Sequence, residues 1–237
     1  MDLERGRVTH SVKSVIAGTR NCYWLLLMVA SVTVWAQEPS KLLSADEALA
    51  KLIEGNNRYS RHQERHPDET LGRRKELEKG QQPFAVILSC SDSRVPPELI
   101  FDQGLGDLFV IRVAGNIVAD DGLGSIEYAV EHLHTRLVLV LGHEQCGAVS
   151  AAVEGGEASG NLKSVLLAIQ PSVEETRNLP GDKIHNCVVA NARRAARQIR
   201  ESEPVLRELI LKEGVKIVAA DYALDTGKIT LLEDAHP

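Results

Sequence analysis

Phe84-Ala85-Val86-Ile87-Leu88-Ser89-Cys90-Ser91-Asp92-Ser93-Arg94 is the stretch on which the reading of the fold turns. Phe84 to Leu88 is an unbroken apolar run, the pattern of a strand buried on both faces within a parallel sheet. Leu137 to Leu141 repeats it, and Leu108 to Val113 and Val215 to Ala220 read as two further strands. Helical spacing separates them. Ser125 to His134 carries Ile126, Ala129, Val130 and Leu133 at i, i+3, i+4 and i+7. Residues 96–103 open with Pro96-Pro97 as a short helix, and helices are expected over Cys146–Val153, 161–178, 183–201 and 204–213. The Thr226-Gly227 turn sends Lys228 to Leu232 back as an antiparallel edge. This alternation predicts an α/β fold: a mainly parallel sheet of about four parallel strands plus an antiparallel edge strand, flanked by helices. Ahead of it, Ser44 and Glu47 have the form of a capping box. A helical arm over about 44–60 follows, with Ala48, Leu49, Leu52 and Ile53 as its apolar stripe.

In such sheets ligands gather at the carboxyl ends of the strands. Cys90 falls at the end of the first strand and His143 just past the end of the third, in His143-Glu144-Gln145-Cys146. Two thiolates and an imidazole make a first shell for one zinc, and a catalytic site leaves the fourth position open. Asp92 lies on the same side of an extended chain as Cys90, and Arg94 follows at the same spacing, able to fork onto a carboxylate. A non-catalytic zinc module, with Asp92 as permanent fourth ligand, stays open at this point. Arg94 speaks against it, because a closed structural site has no use for an arginine beside its carboxylate.

Other features have plainer readings. His62 and His66 stand at i, i+4, but Gln63 follows the first and the metalloprotease pattern fails, so they are read as solvated. Gly104-x-Gly106 and Gly122-x-Gly124 complete no dinucleotide fingerprint and are read as turns. Arg193, Arg194, Arg197 and Arg200 form a basic face around apolar Val188, Ala192, Ala195 and Ile199, read as solvated or subunit-facing.

The 237 residues make one domain of ordinary size plus appendages. Residues 1–21 are net basic, and an uncharged apolar run of about fifteen residues follows from Cys22 to Ala36. That is short of the ~20 residues of a membrane span and suits a secretory leader, with Val34-Trp35-Ala36 before Gln37 as the cleavage signal. Residues 1–36 are therefore expected to be a signal peptide, residues 37–237 a single zinc domain, and the protein exported, periplasmic or secreted. A leader retained as an anchor is the alternative. No other segment could span a membrane. Cleavage takes the formal charge from −6 to −8 and removes Trp24 and Trp35. An acidic domain poor in aromatics is not built for nucleic acid. Three cysteines remain, and an odd number does not suggest a disulfide framework. Two ligands and one spare fits better, with Cys187 in the apolar core.

The pattern C-x-D-x-R plus H-x-x-C resembles the β-class carbonic anhydrases. The likeness extends through Gly106-Asp107-Leu108-Phe109-Val110-Ile111-Arg112-Val113-Ala114-Gly115-Asn116, Gly124-Ser125-Ile126-Glu127-Tyr128, Gly142-His143, Cys146-Gly147 and Tyr222-Ala223-Leu224-Asp225-Thr226-Gly227. It implies zinc-dependent reversible hydration of carbon dioxide to bicarbonate and a proton, through hydroxide on the metal. It implies one Zn2+ per chain on Cys90, His143 and Cys146, with Asp92 and Arg94 catalytic and Asp92 a fourth ligand in a closed state. Assembly as a homodimer or multiple of dimers is implied too. A hydrolase of carbonyl sulfide or carbon disulfide on the same fold is the alternative the resemblance leaves open. Two residues depart from the family pattern. Glu144 stands where a small hydroxyl residue is more usual, and Ile87 where some members carry the tryptophan of an accessory bicarbonate pocket. Gln103 is the one weak candidate for a polar group near substrate.

Overall fold

The computed structural model describes residues 42–155 and 158–233, so the expected leader and both tryptophans lie outside the described residues. In chain order the elements are α1 (Ala45–Tyr59), α2 (Leu71–Glu76), β1 (Ala85–Ser89), α3 (Pro97–Ile100), β2 (Leu108–Arg112), α4 (Asp120–Glu131) and β3 (Leu137–His143). Then come α5 (Gly147–Glu154), α6 (Leu162–Thr176), α7 (Lys183–Arg200), α8 (Val205–Glu213), β4 (Lys216–Tyr222) and β5 (Ile229–Leu232). The strands form one sheet in the order β2-β1-β3-β4-β5. All pairings are parallel except β4 with β5, as the apolar runs predict.

Every residue of β1 and of β3 is buried, because helices cover both faces. Alternation then divides the core in two. Ala85, Ile87, Leu137, Leu139 and Leu141 join one apolar cluster with α1 residues Ala48 and Leu52 and α7 residues Cys187 and Val188. Val86, Leu88, Val138 and Val140 join the other with Ile126 and Ala129 of α4 and Leu206 of α8. Cys187 is fully buried, as expected of a core residue. Truncating one of these strand side chains to alanine costs roughly 2–5 kcal/mol, so the two central strands that carry metal-ligand candidates are also the hardest to disturb.

α1 begins where the sequence says. The Ser44 hydroxyl accepts from the Glu47 N–H at 3.3 Å, and the Glu47 carboxylate accepts from the Ser44 N–H at 2.8 Å. α4 differs from expectation. It starts at Asp120, so Gly122 and Gly124 lie inside its first turns and not in a turn before it. Asp120 and Asp121 in the first turn face the positive end of the helix dipole, which offsets part of the low helix propensity of glycine. His62 and His66 do not share a helix face: both follow α1 in left-handed backbone, with φ of 55° and 48°. All four arginines on α7 are half-buried, and Arg193 donates to the Glu233 carbonyl at 2.9 Å.

Candidate metal centre

Parallel pairing of β1 with β3 matches Ser89 to Leu141, which brings the carboxyl ends of both strands side by side. Cys90 is the first residue beyond β1, His143 the last of β3, and Cys146 the N-cap of α5. The ligand atoms of these three buried residues all lie within 4.8 Å of one another. The sulfurs are 3.9 Å apart. The cluster is thus assembled by two strand ends and a helix start, elements that the core already fixes.

The protonation pattern of this trio suits a metal. His143 Nδ1 lies 2.8 Å from the Glu144 carbonyl oxygen. A carbonyl only accepts, so the proton sits on Nδ1 and leaves a lone pair on Nε2. Nε2 is buried and has no hydrogen-bond partner. A buried acceptor left bare costs about 1–3 kcal/mol, and a cation removes that cost. Cys90 is held well below the usual thiol range by the Cys146 thiol, with a smaller contribution from the Gly115 N–H at 3.3 Å. Cys146 is pushed up, since the proton the pair shares stays with it. A divalent cation would displace that proton and take both sulfurs as thiolates. Two sulfurs and one imidazole nitrogen in a buried site are a donor set for zinc.

Asp92 stands at the rim. Its Oδ1 accepts from Arg94 Nε at 2.9 Å and its Oδ2 from Arg94 Nη2 at 2.8 Å, and the Arg94 N–H adds a third bond at 3.0 Å. Arg94 holds the carboxyl well below the usual carboxylate range. Arg94 itself is steadied by the Gln145 carbonyl at 3.2 Å. Asp92 Oδ2 lies 4.0 Å from His143 Nε2, so the fixed carboxylate faces the ligand atom without joining the three-residue cluster.

Several supporting groups carry no signal in the sequence pattern. Arg112, at the end of β2, donates to the Cys90 carbonyl at 3.0 Å and to the Asp92 carbonyl at 2.5 Å, fixing the loop between ligand and acid. Gly115 presents its N–H to Cys90 only because its φ is 69°, a conformation glycine adopts without strain. Both belong to the Gly106–Asn116 stretch quoted above, but their partners are backbone or sulfur atoms distant in sequence. Gln103 is not brought to the trio. Its Nε2 donates to the Phe101 carbonyl at 2.8 Å, in a cavity of about 180 Å³ beside Tyr59 and Asp102 that none of the three ligand candidates lines. Ile87 is fully buried in β1.

The fold and the site together give a mainly parallel α/β sheet with a buried Cys-His-Cys cluster, able to bind a metal, at its carboxyl edge beside a fixed carboxylate. The carbonic anhydrase family model matches residues 85–229. A carbonic anhydrase of Mycobacterium tuberculosis, described as carbonic anhydrase 2, is 38% identical over 188 residues, 78% of this chain and 91% of its own length. A carbonic anhydrase of Mycolicibacterium smegmatis is 35% identical over the same shares. The crystal structure of the β-carbonic anhydrase CafA of Aspergillus fumigatus superposes with a TM-score of 0.65 at 29% identity, covering 81% of this chain and 92% of that one. One of two tetrameric β-carbonic anhydrases of Sordaria macrospora superposes at 0.62 with 27% identity, covering 78% and 96%. The chain belongs to the β-carbonic anhydrase family.

Proposed function

We propose that this protein catalyses the reversible hydration of carbon dioxide to bicarbonate and a proton, with one zinc ion held by Cys90, His143 and Cys146 and with Asp92 and Arg94 as its catalytic pair. The observation that carries this is the buried trio with a fork-held carboxylate 4.0 Å from its imidazole nitrogen. A zinc ion on these ligands supplies the Lewis acidity that makes water a nucleophile near neutral pH.

The chain's own residues do the rest. Asp92, ionised and acceptor-only, accepts a hydrogen bond from the attacking water at Oδ2 and so turns its lone pair toward carbon dioxide. Arg94 keeps that oxygen in place by occupying both edges of the carboxylate. The Glu144 carbonyl holds the His143 ring in the ligating tautomer. Water adds its oxygen to the carbon of carbon dioxide, and one proton leaves to solvent, which balances the reaction. Asp92 with both oxygens engaged by Arg94 favours this reading over a closed module in which the carboxylate is a permanent ligand. The substrate class follows the family, and the tetrameric relatives support assembly from dimers. We further read residues 1–36 as a leader and the mature protein as exported. Among the described residues no helix is long and apolar enough to cross a membrane.

The test is elemental analysis together with stopped-flow hydration. One zinc per chain is expected, and Cys90→Ser or Cys146→Ser should lose both metal and activity. Rates on carbon dioxide, carbonyl sulfide and carbon disulfide compared side by side should favour carbon dioxide. A metal-free preparation with full activity would end this reading.

A further inference from the structure

Glu144, where the family pattern prefers a small hydroxyl residue, occupies a particular place in the sheet. β3 and β4 pair in parallel as far as His143 with Tyr222, and the Glu144 N–H extends the ladder by one bond to the Tyr222 carbonyl at 3.0 Å. A parallel ladder that continued would next pair the Glu144 carbonyl with the Leu224 N–H, since each residue bonds the two that flank its partner. That bond is replaced. The Leu224 N–H donates instead to Glu144 Oε2 at 3.0 Å, while the Glu144 carbonyl accepts from His143 Nδ1 at 2.8 Å.

We propose that Glu144 is a positioning residue for the metal centre: its carboxylate takes the ladder N–H of Leu224 and so reserves its own carbonyl for the His143 ring. The proposal rests on the zinc reading above and concerns the orientation of one ligand. The turn that supplies Leu224 is anchored from its other end, since Ala223 donates to the Lys228 carbonyl, Gly227 to the Ala223 carbonyl, and Asn56 to the Gly227 carbonyl at 2.8 Å. The donor is therefore fixed, and something must accept from it. A side chain too short to reach leaves the Glu144 carbonyl as the acceptor that ladder register supplies, in competition with His143. Glu144 is half-buried at a cavity of about 510 Å³ shared with Gln145, Ser150 and His185.

The outer partner of a ligating histidine commonly accounts for ten- to a hundredfold in metal affinity. Because the carbonyl survives substitution and only its availability changes, Glu144→Ala should weaken zinc binding by about tenfold, read by competition with a chelator of known affinity. Glu144→Gln, which keeps an oxygen at the same reach, should bind zinc as the wild type does. The metal-free forms of all three should unfold at similar urea concentrations, separating a ligand effect from general destabilisation. Glu144→Ser, two bonds shorter, gives the same reading should the alanine variant not fold. Wild-type affinity in the alanine or serine variant would overturn the proposal. So would a glutamine variant as weak as alanine, which would mean that the carboxylate acts through its charge. A wild-type protein that binds no zinc would overturn the functional reading as well, whereas unchanged affinity in the variants would sink the clamp alone.

Discussion

Asp92 has two uses open to it, and Arg94 decides between them. A free carboxylate so close to Cys90 could swing onto a metal and close the site. With both oxygens in the guanidinium fork, that swing must break two charge-assisted bonds and the bond from the Arg94 N–H. The guanidinium is half-exposed, so its worth lies in geometry more than in stability. Arg94→Ala should keep about one zinc per chain while hydration falls on the order of a hundredfold or more. X-ray absorption should then find an added carboxylate oxygen on the metal. Arg94→Lys should recover little, because lysine is a point charge that cannot span both oxygens. An active alanine variant would remove Asp92 and Arg94 from the mechanism. The three ligand candidates and this pair were legible in the sequence because strand ends and alternating spacing place them. The roles of Gly115, Arg112 and Glu144 were not. Each acts on or through a backbone or sulfur atom, and no residue-type pattern marks such contacts.

Helix α1 shows how a sequence-legible element depends on contacts the sequence hides. Its capping box and apolar stripe announce the helix, but its seat on the sheet is decided by Asn56 and Gly55. Asn56 is buried and fully used: its amide donates to the carbonyls of Ile100 and Gly227, and its oxygen accepts from the Ile229 N–H. Asn56→Ala leaves three backbone groups without partners and should cost roughly 2–4 kcal/mol, read as a lower urea midpoint. At Gly55 a Cβ would stand 1.8 Å from the Phe101 carbonyl oxygen, so Gly55→Ala should displace α1 from α3 and cost at least as much. Beyond α1 the charged segment 61–79 reads as surface, yet Asp102 ties down its start by accepting from the N–H groups of Arg65 and His66 and from Arg58 Nε at 2.5 Å. Burial alone would push this carboxyl up, but Arg58 and the two N–H groups outweigh it and hold it below the usual carboxylate range. A folded-state pKa below the unfolded value of about 3.9 stabilises the protein above that pH, and the contribution is lost as pH falls through the folded value. Asp102→Asn should therefore be less stable than wild type at pH ~7, and the gap should narrow below pH ~4. A gap independent of pH in paired urea titrations would mean that the charge is irrelevant there.

At the scale of the whole molecule, the strand order places β1 and β3, with their ligand candidates, inside the sheet and leaves β2 and β5 at its edges. The edge strand β2 is half-buried throughout and carries Leu108, Phe109, Val110 and Ile111, with Phe109 against a half-exposed Tyr128. An apolar edge of this kind invites pairing with another chain, in keeping with the proposed dimer-based assembly. Sheet order was only partly legible, since apolar runs fix which segments are strands but not which neighbours they take. The remaining property of the whole chain is its proposed leader, and here composition makes a sharp expectation. The apolar run from Cys22 to Ala36 would reach about 22 Å as a helix at ~1.5 Å per residue, short of the ~30 Å hydrocarbon core. A retained anchor of that length would be a poor one, whereas a secretory h-region of that length is ordinary. Both tryptophans of the chain, Trp24 and Trp35, precede Gln37. Protein isolated from its own host should thus begin at or near Gln37 by N-terminal sequencing and intact mass, and should show tyrosine but no tryptophan fluorescence. The same gene product made without export should keep its tryptophan emission. Recovery of soluble native protein that still contains Trp24 would rule out cleavage after Ala36.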